Sequence, residues 1–204
     1  MRRHRIRAQI GYKRRYIKGG NTGRIAANLL NREFNPDAPN KSWVSDITYV
    51  RTYEGFLYVT TVLDLFSRRI IGWSMGKNID RYLVIDALLM TNLRRQPHHP
   101  VLLNSDQCSQ YESNDCVAFM NENGLIPSMS RRGNCHDHAV AGSFFTTFKK
   151  CVTRPKIYTT RRKAKRKKFN FIEMFYNSIK RHSHNGGLSP VKYEDAYFQR
   201  LQSV

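Results

Sequence analysis

The chain has 204 residues, of which 40% are hydrophobic and 25% are charged, so it can bury a core and is not disordered throughout. Its 35 Lys and Arg residues against 15 Asp and Glu give a net charge of +20, which is typical of proteins that bind a polyanion such as nucleic acid. It has no apolar run of the roughly 18–20 residues that cross a bilayer and no apolar secretory signal, so we expect a cytoplasmic protein.

The first 40 residues predict a basic segment rather than part of a core. They carry ten Lys and Arg residues against two acids, Glu33 and Asp37. One short helix is expected at Gly23–Asn31, and the turn-forming residues at 35–40 predict a linker after it. We interpret residues 1–40 as a truncated N-terminal DNA-binding segment and its linker.

Three strands are predicted after the linker, because β-branched and aromatic residues dominate there. They are expected at Trp43–Thr52, Phe56–Asp64 and Arg69–Met75. Their connections are short, so we expect three antiparallel neighbours. Trp43 and Trp73 are interpreted as core residues rather than as platforms on which bases stack.

Helices and short strands alternate in the next part of the chain. A helix is expected whose apolar face is formed by Ile79, Leu83, Val84, Ala87, Leu88 and Leu93. A buried strand at Val101–Ser105 follows it. The next elements are a helix at Asn114–Asn123, which Gly124 ends as a C-terminal cap, and a fifth strand at Leu125–Met129.

Two more helices complete the predicted core. The first covers His138–Cys151 and is expected to bury Val140, Phe144, Phe148 and Cys151. The second follows the basic run RRKAKRKK, and its apolar positions are Phe169, Ile172, Phe175, Tyr176 and Ile179. This order of elements is typical of an α/β domain. We divide the chain into the basic segment 1–40, a core with a C-terminal basic helical extension at 41–194, and a tail at 195–204.

Two acids lie where a metal ion could be bound. Asp46 is inside the first predicted strand, where an ionised side chain is costly unless it has a partner. Asp106 directly follows the strand Val101–Ser105, at an edge of the sheet where ligands commonly bind. Two carboxylates on neighbouring strand ends suit Mg²⁺, which prefers oxygen ligands. A turn aspartate and a buried salt bridge would account for the same residues, so their positions alone leave both interpretations open.

Four motifs resemble those of one known family. In chain order they are WVSDITYVRTYEGFLYVTTVLDLFSRRIIGWSM, NSDQCSQY, SMSRRGNCHDHAVAGSFF and FIEMFYNSIKRHSHNGGLSPVKYE. From about Arg5 to Glu194 the chain is similar to OrfB-type bacterial insertion-sequence transposases, which are relatives of retroviral integrases. The resemblance implies an RNase H-like integrase core, a five-stranded mixed sheet flanked by helices, with a short basic helical N-terminal segment.

The resemblance also implies a catalytic site in which three acids bind two Mg²⁺ or Mn²⁺ ions, about 3.5–4 Å apart, and which cleaves and joins DNA strands. Asp46 and Asp106 match the first two acids, which are both catalytic and metal-binding in the family. The third acid should be at position 106 + 36 = 142, where this chain has Gly142. The flanking residues of the motif give the same register.

Smaller departures from the family occur in the same motifs. Asn104 and Cys108 replace the His and Gly of the second-acid motif, and His136 and His138 replace the Trp and Asn of the third. Together with Gly142 they predict that strand transfer is nearly or wholly lost. The content of Lys and Arg predicts that DNA binding is kept.

The DNA contacts are expected from Lys and Arg residues near the third motif and in the basic run, namely Arg131, Arg132, Lys149, Lys150, Arg161, Arg162, Lys163, Lys165 and Arg166. A solvated helix surface would account for the same residues. The expected partners are insertion-sequence ends, target DNA, further copies of the chain on DNA, and a helix-turn-helix protein from an upstream reading frame. The DNA-bound protein would be associated with the nucleoid.

Two other functions fit part of the sequence. A catalytically inactive core could bind DNA and inhibit an active transposase, and dominant inhibition would distinguish that role. A general basic RNA-binding protein would account for the charge of +20 but not for Asp46, Asp106 and the ordered motifs. A preference for structured RNA over DNA ends would indicate the RNA-binding function.

Overall fold

The computed structural model of the protein describes residues 26–130, 139–153 and 157–203. Its strands are β1 (Ser42–Thr52), β2 (Gly55–Asp64), β3 (Ile70–Gly76), β4 (Val101–Ser105) and β5 (Leu125–Met129). Its α-helices are α1 (Arg81–Arg95), α2 (Asn114–Glu122), α3 (Ala139–Phe148), α4 (Arg161–Phe169) and α5 (Pro190–Gln202). None of the described helices is both long and apolar enough to cross a membrane.

The strands form one mixed sheet in the order β3–β2–β1–β4–β5. The first three are antiparallel, as their short connections predict, and β4 and β5 run parallel to β1. β1 has 11 residues and β4 has 5, and only Ser42–Val44 of β1 pairs with Leu102–Asn104 of β4. Within the described residues, the edge of β1 is therefore open after the end of β4, until Thr52 pairs with Tyr158.

Alternation along β1 divides the core into two clusters, one on each face of the sheet. Val44 and Val50 belong to the cluster that α3 covers, mainly with Phe144 and Phe148. Trp43 belongs to the cluster that α1 and α2 cover on the other face, and it is fully buried as predicted. The parallel and antiparallel strands thus share one sheet with a helical layer on each side.

The helix predicted at Gly23–Asn31 is wrong for the part that the structure describes. Residues 26–31 are not helical and follow the outer edge of β5. The amides of Leu29 and Leu30 donate to the hydroxyl of Ser128, at 3.0 and 3.1 Å, instead of to carbonyls four residues earlier. The side chain of Leu30 is buried in the core, so this segment is part of the folded unit.

Several residues that were predicted to lie on the buried faces of helices are exposed, and they lie near the ends of those helices. Leu93 is exposed because it is nine residues, or half a turn in angle, from the buried Val84, and Ile79 is exposed because α1 begins only after it. After α3 and α4 the backbone changes to π-helical turns at 149–153 and 170–176, which shift the following side chains round the axis. Three predicted core residues in or after these turns are exposed, namely Cys151, Phe175 and Ile179, and Phe169 at the end of α4 is exposed as well.

One lysine of the basic run is inside the protein. Lys168 of α4 is fully buried, and its Nζ is 5.1 Å from the ring centre of Phe148 and 4.7 Å from that of Tyr158. Attraction between the amine and the two rings joins α4 to α3. Burial nevertheless lowers the pKa of Lys168 to about 7, because a charged amine is poorly solvated there.

Replacing Lys168 with Met is expected to change the pH dependence of stability. Since the pKa of Lys168 is lower in the folded chain, the unfolded chain binds more protons between about pH 7 and about pH 10. Lys168 therefore makes the free energy of unfolding rise with pH, by up to about 1.4 kcal/mol per unit. Urea unfolding should give a steeper rise for the parent than for Lys168→Met. Lys167 is exposed, so Lys167→Met is the control. If the free energy of unfolding changes with pH in the same way in all three chains, the lowered pKa of Lys168 is contradicted.

The last helix is fixed to the β2–β3 turn by a buried ionic cluster. Glu194 of α5 accepts hydrogen bonds from Ser67 Oγ at 2.6 Å, from Arg69 Nη1 at 2.7 Å and from Arg95 Nη2. Asp64, at the end of β2, accepts the backbone N–H of Phe66 in the same turn and that of Asn40 in the segment before β1. The cluster joins α5, α1 and the sheet at one point.

Candidate active site

Asp46 is placed in the middle of β1, on the face of the sheet that α3 covers. Because side chains alternate along a strand, Asp46 is on the same face as Val44 and Val50, and Trp43 is on the opposite face. The side chain is partly buried, and its Oδ1 accepts the N–H of Ile47 at 2.6 Å. This contact orients the carboxylate at the point where β4 ends and the edge of β1 opens.

Asp106 lies beside Asp46 because the two strands are parallel and in register. Val44 pairs with Asn104, and two further residues along each chain lead to the two acids. Burial and the negative charge of Asp106 raise the pKa of Asp46 to about 7, against the opposing effects of the Ile47 amide and of Lys149. The structure therefore brings together the two acids that were predicted to share a site.

The two carboxylates fit a hard divalent cation. Their mutual repulsion is what such a cation would relieve, and both supply the oxygen ligands that Mg²⁺ takes. In the described part of the chain, no group of three or more His, Cys, Asp or Glu residues is arranged to hold a metal ion. Since Mg²⁺ is commonly held by one or two carboxylates with waters and phosphates, the pair is sufficient for one ion.

Position 142 lies on α3 and is exposed to solvent. A Cβ added to Gly142 would have no other atom within 4 Å, so a longer side chain has room there. Lys149 follows seven residues later, on nearly the same side of the helix, and it is near enough to Asp46 to lower the pKa of that residue. A side chain at position 142 would thus project into solvent, on the side of α3 after which Lys149 follows.

Asn104, a departure from the family motif, has a clear structural role. It is buried, its Nδ2 donates to Ser130 Oγ at 3.2 Å, and its Oδ1 accepts from Ser128 Oγ at 3.1 Å. Gln107 also donates to the carbonyl oxygen of Ser130. These bonds fix the end of β5 next to Asp106, at the start of the segment that leads to α3.

Cys108, the other departure in this motif, borders the acid pair. It is partly buried, and burial together with the charges of Asp106 and Asp46 raises its pKa to about 11. The thiol is therefore protonated at neutral pH. Mg²⁺ prefers oxygen ligands and a thiol is a soft ligand, so Cys108 is a poor substitute for the third acid.

One contact of the site was not found from the sequence. The hydroxyls of Ser45 and Tyr111 are 2.6 Å apart, on the opposite face of the sheet from Asp46. This hydrogen bond attaches the loop after Asp106 to β1, so Tyr111 helps to position Asp106 from the opposite face of the sheet. The sequence offers a signal only in hindsight, since Tyr111 ends the motif NSDQCSQY that contains Asp106.

The predicted DNA-binding residues fall into two described groups. Lys149 and Lys150 are exposed at the end of α3, near the acids. The others lie on α4, which packs against β1 and β2 on the face of the sheet that carries Asp46. Of these, Arg162, Lys163, Lys165 and Arg166 are exposed, whereas Arg161 is partly buried and donates to the carbonyl oxygen of Phe56. Arg131, Arg132, His136 and His138 lie outside the described residues.

Cations of α4 also line a groove of about 660 Å³. Its other wall is formed by residues 157–160, which lead into the helix. The lining includes the apolar Ile157 and Tyr158 and the cations Arg162, Lys163, Arg166 and Lys167. A groove with this lining can hold a backbone phosphate group next to an apolar surface.

Comparison with known proteins gives a consistent family. The integrase core domain matches residues 36–135, and a second integrase core domain description matches residues 142–198. The transposase InsF for insertion sequence IS3A of Escherichia coli (strain K12) is 40% identical over 171 residues, which are 84% of this chain and 59% of InsF. The 31 kDa protein of insertion element IS600 from Shigella sonnei is 36% identical over 97% of this chain and 74% of its own length. The chain spans about three fifths of InsF.

Solved structures share the fold at low sequence identity. The catalytic core domain of HTLV-2 integrase in complex with magnesium has a TM-score of 0.55 and 16% identity, over 78% of this chain and 99% of the integrase chain. A chain of the simian T-cell lymphotropic virus intasome in complex with PP2A regulatory subunit B56 gamma has a TM-score of 0.58 and 14% identity, over 85% of this chain and 58% of that chain. These likenesses confirm the five-stranded RNase H-like sheet flanked by helices.

Proposed function

We propose that this chain is the core of an OrfB-type insertion-sequence transposase with strongly reduced catalysis. The chain belongs to the integrase core family, and insertion-element proteins are among its relatives. One observation carries the proposal. Asp46 and Asp106 lie side by side at the end of β4, on the face that α3 covers. Two partly buried acids of like charge side by side are costly for a fold, and a pair of this kind is typical of a site that binds a metal ion.

The residues of the site would act by binding and orienting. Asp46 and Asp106 would hold one divalent cation, Mg²⁺ or Mn²⁺, with the carboxylate of Asp46 oriented by the Ile47 amide. Such an ion, when bound, supplies Lewis-acid stabilisation of phosphoryl oxygens and lowers the pKa of water. Lys149 would place a positive charge beside the DNA phosphate, while Tyr111 and Asn104 keep the Asp106 loop in position.

Reduced catalysis follows from position 142. The described residues supply two carboxylates, and Gly142 adds no third at the place where the family has an acid. A second ion would then lack a protein ligand. We expect a loss of roughly 10²–10³-fold or more in strand cleavage and strand transfer, by analogy with the removal of one stabilising group in other enzymes.

Binding to DNA does not depend on the third acid. Lys149 and Lys150 after α3 and most cations of α4 are exposed, and the net charge is +20. The proposed substrates are insertion-sequence ends and target DNA, with further copies of the chain on the DNA. A helix-turn-helix protein from an upstream frame remains a proposed partner, and residues 1–40 remain the proposed N-terminal DNA-binding segment.

The groove cations on α4 are expected to contact DNA phosphates. Replacing Arg162, Lys163 and Arg166 with Gln should weaken binding to duplex DNA and make it less sensitive to salt. The slope of log K against log salt should fall in magnitude by about 0.9 for each phosphate contact that is lost. Fluorescence anisotropy with labelled duplex DNA at several salt concentrations measures this slope.

A matched control removes the same charge elsewhere. Arg181, Lys192 and Arg200 are exposed near and on α5, and their replacement with Gln lowers the net charge by three as well. The control should leave most of the slope unchanged. If both triple variants lose affinity and slope equally, DNA senses only the total charge and α4 is not the binding surface.

Inhibition of an active transposase is a second function that the α4 cations and Gly142 together favour. A chain that keeps the cations of α4 but has Gly142 in place of an acid can occupy element ends without cutting them. Adding this chain to a strand-transfer reaction of an active relative should then inhibit that reaction. Inhibition that disappears in the α4 triple variant would indicate competition for DNA rather than mixed assembly.

A further inference from the structure

The hairpin formed by β1 and β2 exposes a row of aromatic side chains on one face. Tyr49, Tyr53 and Phe56 are 60%, 75% and 44% exposed, and Tyr58 is partly buried beside them. Phe56 contacts Tyr49 edge to face at 5.2 Å between ring centres and Tyr58 at 6.3 Å. We call Tyr49, Phe56 and Tyr58 the aromatic ladder.

The ladder lies on the face of the sheet opposite to α4. Tyr49 pairs directly with Tyr58, and both point to the side on which Trp43 is buried further down the strand. There α1 packs against β3 and β2 and covers the sheet only in part. The rings therefore extend past the helical layer into solvent, and contiguous exposed aromatic surface of this kind commonly marks a binding site.

The charges around the ladder favour a polyanion with flat apolar groups. Arg51 is exposed on the same face and pairs with Phe56 across the hairpin. Lys77 is exposed directly after Gly76, the partner of Tyr58 on β3. The acid at the hairpin turn, Glu54, is engaged with the amide of Arg161. Aromatic rings between exposed cations are the usual surface for single-stranded nucleic acid, whose bases stack while its phosphates are neutralised.

The position of the ladder links it to the acids. Tyr49 is three residues after Asp46, or about 10 Å along the strand. In the described part of the chain, the edge of β1 between Asp46 and Thr52 has no paired strand. A DNA strand can therefore pass round this edge, with a phosphate at the acids on one face and the next bases at the ladder on the other.

We propose that the aromatic ladder binds unpaired bases of a DNA strand whose backbone lies at Asp46 and Asp106. This inference rests on the proposed function, because it assigns the DNA at the acids a single-stranded portion. The bases stack on Phe56 and Tyr49, and Arg51 and Lys77 contact the flanking phosphates. Duplex DNA is held by α4, so the two surfaces recognise different parts of one substrate.

The test compares a short oligothymidine strand with an abasic strand of the same length. The abasic strand keeps every phosphate and loses the rings that stack. For the full chain, Phe56→Ala should weaken binding of the thymidine strand by between about 5-fold and about 150-fold, the range for loss of one stacked base. It should leave binding of the abasic strand unchanged, which also shows that the variant is folded.

Two further variants sharpen the test. Phe198→Ala removes an aromatic ring of the same exposure, 44%, from α5 and should change neither affinity. Phe56→Trp keeps a stacking surface and should retain most of the affinity for the thymidine strand.

Three outcomes would overturn the ladder. The first is equal binding of both strands by the parent, and the second is an equal loss of both affinities in Phe56→Ala. The third is a change only in the mass of the Phe56→Ala chain in solution, which would indicate contact with a second copy. In each case duplex binding through α4 can remain intact, and the proposed function then stands without the ladder. If the parent binds no DNA at all, single-stranded or duplex, both proposals fail together.

Discussion

Replacing Gly142 with Glu is expected to raise metal-dependent DNA cleavage by roughly 10²–10³-fold over the parent chain. The reason is geometric, because the added side chain has open space and would project from α3 on the side of Lys149, which already acts on Asp46. A third carboxylate there would complete the ligands for a second cation. Cleavage and strand transfer of insertion-element ends in Mg²⁺ and in Mn²⁺ measure the effect.

Gly142→Gln is the matched control for this experiment. Gln has the same size as Glu and a similar helix propensity, so both variants stabilise α3 by roughly 0.5 kcal/mol over Gly. Only Glu adds a negative charge, and only Glu should restore cleavage. Adding Asp106→Asn to Gly142→Glu should abolish the restored activity. If the parent already cleaves DNA and Asp46→Ala stops it, another group serves as the third ligand and the predicted loss of activity is wrong.

The second large effect concerns stability rather than catalysis. Glu194→Ala is expected to lower the free energy of unfolding by about 3–5 kcal/mol, the usual cost of removing one partner from a buried ion pair. Glu194 is 1% exposed, and its loss would leave Arg95 without its closest anion. The nearby Asp64 is a weak substitute, because burial raises its pKa to about 6 and its Oδ2 is 3.8 Å from Arg95. Urea unfolding at neutral pH measures the change.

Asp195→Ala tests whether the effect belongs to the cluster. Asp195 is the exposed neighbour on the same helix, and its replacement should change stability by no more than about 0.5 kcal/mol. Burial raises the pKa of Glu194, but Arg95, Ser67 and Arg69 outweigh it, so the net pKa is lowered. The contribution of Glu194 is therefore present above the ordinary carboxylate pKa and is lost as the pH falls through the lowered folded value. If Glu194→Ala and Asp195→Ala lower the free energy of unfolding equally, the buried ionic cluster does not stabilise the fold as proposed.

The sheet was predictable from the sequence because its strands carry strong local signals. β1 and β2 are rich in β-branched and aromatic residues, and the turn at Tyr53–Glu54 fixes their register. The pairing of Asp46 with Asp106 could not be predicted from local signals, and it was expected only because both residues match acids of the family motifs. The structure brings the two acids together through the long-range pairing of Val44 with Asn104.

The errors occur where tertiary contacts override local pattern. The π-helical turn after α3 exposes Cys151, although the α-helical period predicts that it is buried. The aromatic ladder was missed because alternation gives two faces but does not tell how far a covering helix extends. Lys168 was missed because a lysine in a basic run is normally solvated, and only packing against Phe148 and Tyr158 buries it.

The segment before β1 has a consequence for how the catalytic unit can be isolated. Ala27 accepts the amide of Met129, Leu29 and Leu30 donate to Ser128, and Leu30 fills a site in the core, so residues 27–30 shield the outer edge of β5. A shortened chain that starts at the linker boundary near residue 40 would leave a cavity at Leu30 and expose an unprotected strand edge. Such edges recruit strands of other molecules, so that product would aggregate, whereas a chain cut ahead of Ala26 would remain dispersed.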